Sequence, residues 1–396
     1  MGNTVDYVTD HCHESFKVRP FSKEDALVLS QLSYLKFDKL MPATDEKTYT
    51  LKDLNESPEF DSLFVYPKYE KPNRALFDAT LKAPRFKGLK VCFYINRIDV
   101  ADETQFCAIT FILPGGHPFI AFRGTDETIL GWQEDFRLAL DKPITGQKLS
   151  ARYLNDVGAR VRGEIMVGGH SKGGNLAMFS SMQCSEVIRE RISKIYSFDG
   201  PGFRPDLLDE YGYGLIRDRV VSVIPKSSVV GLLLSGNRDS IVVSSKRTGM
   251  KQHDPYNWII EDGKLSETHL TDQHVMLLDS FNQWMFSLDE EHLNGFISML
   301  VGVLDATQAD TTLELTGEAY KYAMNVIRAA KDLDDENKEF LSGLLKSFYE
   351  LMKDRMKTEI QTKIEVKREE LNAKREVRNA EKQKRKKNTK TKKDRS

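Results

Sequence analysis

The sequence predicts an α/β fold: a mostly parallel sheet with an antiparallel N-terminal entry, then a C-terminal helical region and a basic tail. Three observations carry this. Residues 88–123 hold three β-branched and aromatic runs, LKVCFYINRI, TQFCAITFIL and HPFIAFR, separated by Asp-Glu and Pro-Gly-Gly turns. Residues 126–245 alternate helical and strand-like patterns, as βαβ units do. After about residue 263 only helical periodicity continues.

Along the chain, residues 1–85 are polar and broken by prolines, and one helix is expected there. It opens at Ser22, an N-cap followed by Lys-Glu-Asp and an apolar face. The core is expected over 86–262. In it the three antiparallel strands are followed by helical stretches TILGWQEDFRLAL and QKLSARYLNDVGARV and by the strand EIMVGG. Next come the helix NLAMFSSMQCSEVIRERI, the strand KIYSFD, a short helix, and the strands VVSVIP and SIVVSS. Helical periodicity over 272–287, 291–305, 313–332 and 334–383 then divides into a helical region, 263–350, and a basic helix with a disordered tail, 351–396.

Composition narrows the class. With 396 residues, 40% hydrophobic and 30% charged, the chain suits a globular protein and not a collagenous, disulfide-scaffold or wholly disordered one. Its net charge of −1 is a cancellation: 17 Lys/Arg and 7 Asp/Glu lie between Arg355 and Ser396, leaving −11 on the residues before them. Residues 1–15 carry neither a basic nor an apolar leader segment, and the longest apolar run, near Phe296–Leu304, is too short to span a bilayer. Four scattered cysteines without a CxxC pair read as free thiols of a cytoplasmic protein. The His11-Cys12-His13 cluster has no downstream partner cluster, and no P-loop or dinucleotide fingerprint is present, so no metal or cofactor is expected. For the tail the readings are a solvated helix, attachment to an anionic inner-membrane surface, and nucleic-acid contact. The lack of interleaved aromatics counts against the last.

Gly169-His170-Ser171-Lys172-Gly173 is a G-x-S-x-G at the end of an apolar strand and the start of a helix. A serine in such a turn is lifted clear of the sheet, and glycines on either side let strand and helix approach. A serine nucleophile needs a base, then an acid to orient it, and in this architecture both follow in the chain. His253, in the loop after the last strand, is the candidate base, whereas His269, His274 and His292 fall in segments read as peripheral helix. Two carboxylates compete for the acid: Asp199, at the end of KIYSFD, and Asp239, just before the last strand. The oxyanion donors expected are the N–H of Lys172 and that of Thr125, where the third strand closes in Phe-Arg-Gly-Thr-Asp.

The segment IAFRGTDETILGWQEDF, with Trp132 and Asp135, resembles the arginine-glycine-threonine segment of class 3 (fungal-type) lipases. GGHSKGGNLA resembles their elbow, and QHDPYNW their final histidine segment. Together with PFSKEDALVLSQLSYL, FDGPGF and IPKSSVVGLLL, these segments are similar to a related lipase-like family of Gram-positive bacteria, over residues 15–262. The resemblance implies an α/β-hydrolase fold, Ser171 as nucleophile, His253 as base, and an oxyanion hole at Thr125 and Lys172. Where class 3 lipases carry their acid this chain has Ser228; Asp199-Gly-Pro-Gly-Phe is instead similar to the pancreatic lipase arrangement.

The expected function is a lipase- or esterase-like serine hydrolase acting on acyl esters or lipids. Lys172 is a feature that would favour anionic substrates, and Asp126–Gln147 and the C-terminal helices are candidate lids. The alternative is a catalytically weak or inactive scaffold whose helical region docks a protein partner, with the missing carboxylate at Ser228 as its support.

Overall fold

A computed structural model describes residues 2–295 apart from 43–46, 67–68, 100–103, 126–137, 139–142, 235–238, 290 and 294. The helix TILGWQEDFRLAL, most of the candidate lid, the helices past 295 and the basic tail lie outside the described residues. Among the described residues, eight strands form one sheet in strictly sequential order. The first four, β1 (Tyr49–Thr50), β2 (Lys90–Asp99), β3 (Thr104–Ile112) and β4 (Pro118–Phe122), pair antiparallel. From β4 onward, β5 (Ile165–His170), β6 (Ile192–Phe198), β7 (Val220–Pro225) and β8 (Ile241–Val243) pair parallel. This is the mostly parallel sheet with an antiparallel entry of an α/β-hydrolase fold.

The central strands are apolar runs because both their faces are covered. β4 is buried at all five positions and sends alternate residues to opposite sides: Phe119 and Ala121 join one core cluster, Ile120 and Phe122 the other. The first cluster lies under three helices of the N-terminal segment, α1 (Thr4–His11), α2 (Lys23–Leu32) and α3 (Glu70–Lys82), through Val8, Leu27, Leu29 and Phe77. The second lies under α4 (Thr145–Arg160) and α5 (Lys172–Gln183), through Leu154, Leu176 and Phe179. A further helix, α6, spans Asp272–Ser287. No helix among the described residues is long and apolar enough to cross a membrane.

Two expectations need correction. The described residues of the N-terminal segment hold four α-helices where one was expected: α1, α2, a one-turn helix at Leu51–Asn55, and α3. The short ones are fixed by caps more than by length. Asn3 with Asp6 and Thr50 with Asp53 form reciprocal capping boxes, as Ser22 does with Asp25 at the helix that was expected. The core also does not stop at 262. Ile260–Glu261 pairs with Lys264–Leu265 as a second, two-stranded sheet, with Asp262 at φ 50° and Gly263 at φ 73° in the turn. Asp-Gly tolerates those left-handed angles, so a boundary at 262 cuts through a hairpin.

One side-chain cluster locks the N-terminal segment. The Arg85 guanidinium and the Asp25 carboxylate are both fully buried and joined by two hydrogen bonds, Nε to Oδ1 at 2.7 Å and Nη2 to Oδ2 at 2.6 Å. The other three donors of Arg85 reach the carbonyls of Glu14, Arg19 and Pro20, and the Tyr7 hydroxyl donates to Asp25 at 2.9 Å. Cys12 is buried beside this cluster. Burial first, and Asp25 second, push its thiol up to about 12, which leaves it unreactive at neutral pH.

Candidate active site

β5 ends at His170, α5 begins at Lys172, and Ser171 alone makes the turn between them, at φ 60° and ψ −134°. A non-glycine residue held at positive φ is a strained position that its surroundings must enforce. They do so by close approach of backbones. A Cβ on Gly173 would lie 2.1 Å from the Phe122 carbonyl oxygen at the end of β4, and one on Gly169 would lie 2.4 Å from the Gly173 carbonyl carbon. Gly173→Ala is therefore expected to cost about 3 kcal/mol, read as a fall in the urea midpoint, because neither contact is with a flexible side chain.

At the end of β6, Asp199 takes φ 48° and its amide donates to the Val223 carbonyl at 2.8 Å. Its side chain is 1% exposed. Oδ2 faces His253 Nδ1 at 2.7 Å, while Oδ1 accepts from the Ser228 hydroxyl and from the Gly231 N–H. A Cβ on Gly231 would stand 2.5 Å from Oδ1, so only glycine lets that amide approach. A carboxylate opposite Nδ1 fixes the tautomer: the proton sits on Nδ1 and Nε2 keeps its lone pair. His253 ends a 3₁₀ turn, Gly249–His253, and its side chain is 20% exposed.

The structure thus brings Asp199 to His253, and it puts Asp239 elsewhere. Asp239 is 88% exposed and pairs with Arg217 at 3.4 Å. Ser228 occupies no vacant acid position; it supports Asp199. Thr125 lies half-buried three residues past β4, and the Lys172 N–H heads α5. The Lys172 side chain is fully buried, with Nζ donating to the Gln105 carbonyl on β3 at 2.9 Å. The expectation that it favours anionic substrates is corrected: the stem runs into the core. His269 lies in irregular chain before α6 and not in a helix, and His292 is exposed beside Asp289.

Sequence reasoning passed over His170. Its Nδ1 meets the Tyr34 hydroxyl at 2.8 Å, its Nε2 meets the His253 carbonyl oxygen at 2.7 Å, and its ring packs on the His253 ring at 4.5 Å between centroids. Burial, with the adjoining His253 ring as a second cause, holds it well below the ordinary imidazole range.

Against known sequences, residues 80–302 match the model of the Mbeg1-like family. The chain belongs to the Mbeg1-like family. Its matched span begins in α3 and takes in strands β2 to β8, Ser171, Asp199 and His253. No curated protein matches the chain in sequence. Among solved structures, this Mbeg1-like chain is similar to M37 lipase at 16% identity, over 53% of this chain and 68% of that one, with a TM-score of 0.34. It is similar to a triacylglycerol lipase described as having a serine protease triad as its catalytic centre, at 14% identity, over 56% and 78%, with a TM-score of 0.34. A lipase from Rhizopus microsporus var. chinensis matches at 14% identity, over 52% and 80%, with a TM-score of 0.30.

Proposed function

We propose that this protein is a serine ester hydrolase acting on acyl esters through an acyl-enzyme intermediate. The observation that carries the proposal is the caged Asp199–His253 pair, reached from the strand end next to the strained Ser171 turn. In this reading His253 Nε2 takes the Ser171 proton as Oγ adds to the ester carbonyl. The N–H groups of Lys172 and Thr125 receive the negative oxygen. The imidazolium then returns its proton to the leaving alkoxide, the C–O bond breaks, and the acyl group stays on Ser171. Water, deprotonated by the same imidazole, releases the acid and restores the serine. Asp199 holds the ring and stabilises its charged form, and needs no proton of its own.

The scaffold reading loses its support at Ser228, since that hydroxyl donates to the carboxylate next door. A fluorophosphonate probe is expected to label the wild-type protein on one residue and to leave Ser171→Ala unlabelled. Folded wild-type protein that resists the probe at millimolar concentration would remove the proposal.

A further inference from the structure

We propose that His170 and Tyr34 are positioning residues for His253, tying the main chain of the base while Asp199 ties its ring; this rests on the hydrolase reading above. A backbone carbonyl only accepts, so the 2.7 Å contact between His170 Nε2 and the His253 oxygen requires the proton on Nε2. Nδ1 is then a bare acceptor, and the Tyr34 hydroxyl at 2.8 Å donates to it. Tyr34 therefore selects the tautomer of His170, and that tautomer donates to the base loop. Were the His170 proton on Nδ1, the Nε2 lone pair would face the carbonyl oxygen and push the base loop away.

The arrangement also separates two kinds of constraint. Asp199 comes from β6 and acts on His253 through Nδ1, so it fixes the ring about its long axis. His170 comes from β5 and acts through the carbonyl, which fixes the Cα from which the ring is hung. The rings of the two histidines lie 4.5 Å apart, tilted by 36°, so a neutral His170 offers a π-face to the imidazolium that forms during turnover. Its depressed proton affinity keeps a second positive charge out of that contact.

Tyr34 is tied to the nucleophile's surroundings as well. A Cβ on Gly124 would lie 2.3 Å from the Tyr34 hydroxyl oxygen, 2.5 Å from the His170 carbonyl oxygen and 2.9 Å from Ser171 Cβ. One phenol thus abuts the chain leading to Thr125 and the turn holding Ser171. It stands just beyond α2, in the N-terminal segment, so that segment takes part in setting the site's geometry.

The test compares wild type with Tyr34→Phe, His170→Phe and His170→Gln, using p-nitrophenyl butyrate turnover and the side-chain 15N–1H spectrum of 15N-histidine-labelled protein. Tyr34→Phe is expected to lower kcat about 10-fold and His170→Phe about 100-fold, each with KM within twofold, because a base displaced by an ångström loses rate and not ground-state binding. His170→Gln, whose amide N–H reaches toward the same carbonyl, is expected to recover most of the loss of His170→Phe. The His253 Nδ1 proton resonance is expected to shift in Tyr34→Phe, because residue 34 acts on His253 through His170. Unchanged kcat in His170→Phe, or equal losses in His170→Gln and His170→Phe, would overturn the proposal. If the wild type proves inert the hydrolase reading fails first. The resonance then decides: a shift in Tyr34→Phe upholds the tie to His253, and an unmoved one refutes it.

Discussion

Asp199→Asn is expected to lower ester turnover, and the rate of fluorophosphonate labelling, by about 10⁴-fold while leaving the fold intact. The magnitude follows from the direction in which the new amide must point. Oδ1 receives two donors, the Ser228 hydroxyl and the Gly231 N–H, so the amide oxygen of an asparagine is held on that side. Its NH₂ then faces His253 Nδ1, where the carboxylate oxygen had accepted at 2.7 Å. Donor would meet donor unless the imidazole moves its proton to Nε2, and that tautomer cannot accept a proton from Ser171. Asp239→Asn provides the contrast. Asp239 is exposed and its partner is Arg217, so the same substitution there is expected to leave turnover within twofold. Thermal midpoints of the two variants, measured alongside, separate a lost tautomer from a lost fold.

Arg85→Ala is expected to destabilise the protein by about 3–5 kcal/mol, seen as a lowered urea midpoint. Removing the guanidinium leaves the Asp25 carboxylate in the core without its cation, and strips the carbonyls of Glu14, Arg19 and Pro20 of their donor. Arg85→Lys is expected to rescue little, because three ammonium hydrogens cannot replace five donors in a planar fork. Replacing both partners, as Asp25→Leu with Arg85→Met, is expected to cost less than Arg85→Ala alone, since no charge is then stranded. The loss is expected to reach the site too. α2 begins at the Ser22–Asp25 capping box, and Tyr34 stands just past its end.

The parts of this protein legible in its sequence were those encoded locally. β-Branched runs gave the strands, and glycines around Ser171 gave the turn, since close backbone approach demands them at fixed offsets. Ser22 announced its helix because a capping box is written within four residues. What stayed hidden depends on residues far apart in the chain. Ser228 looked like a missing acid because nothing near it says that its hydroxyl meets a carboxylate 29 positions earlier. His170 looked like the variable letter of the elbow; its two partners are 136 positions before it and 83 after it. Lys172 beside a nucleophile suggested a charge for substrate, but its stem runs through the core to the Gln105 carbonyl, 67 positions earlier in the chain. One miss had no such excuse. Asp262-Gly263 is among the strongest local hairpin signals, and it lay at the boundary drawn through it.

The strictly sequential strand order has a consequence for the chain as it is made. Each new strand adds to the edge its predecessor left, so the sheet can grow outward during synthesis without threading back between strands already laid down. The elements around the candidate site emerge in turn, Tyr34, then Ser171, then Asp199, and His253 arrives last. Until then Asp199 has no imidazole to hold, and the candidate site stays incomplete. A clasp ties the two ends of this span: Gly2 exchanges both backbone hydrogen bonds with Ile260, each 3.0 Å, a pairing across more than 250 positions that closes only after the sheet between them is laid down.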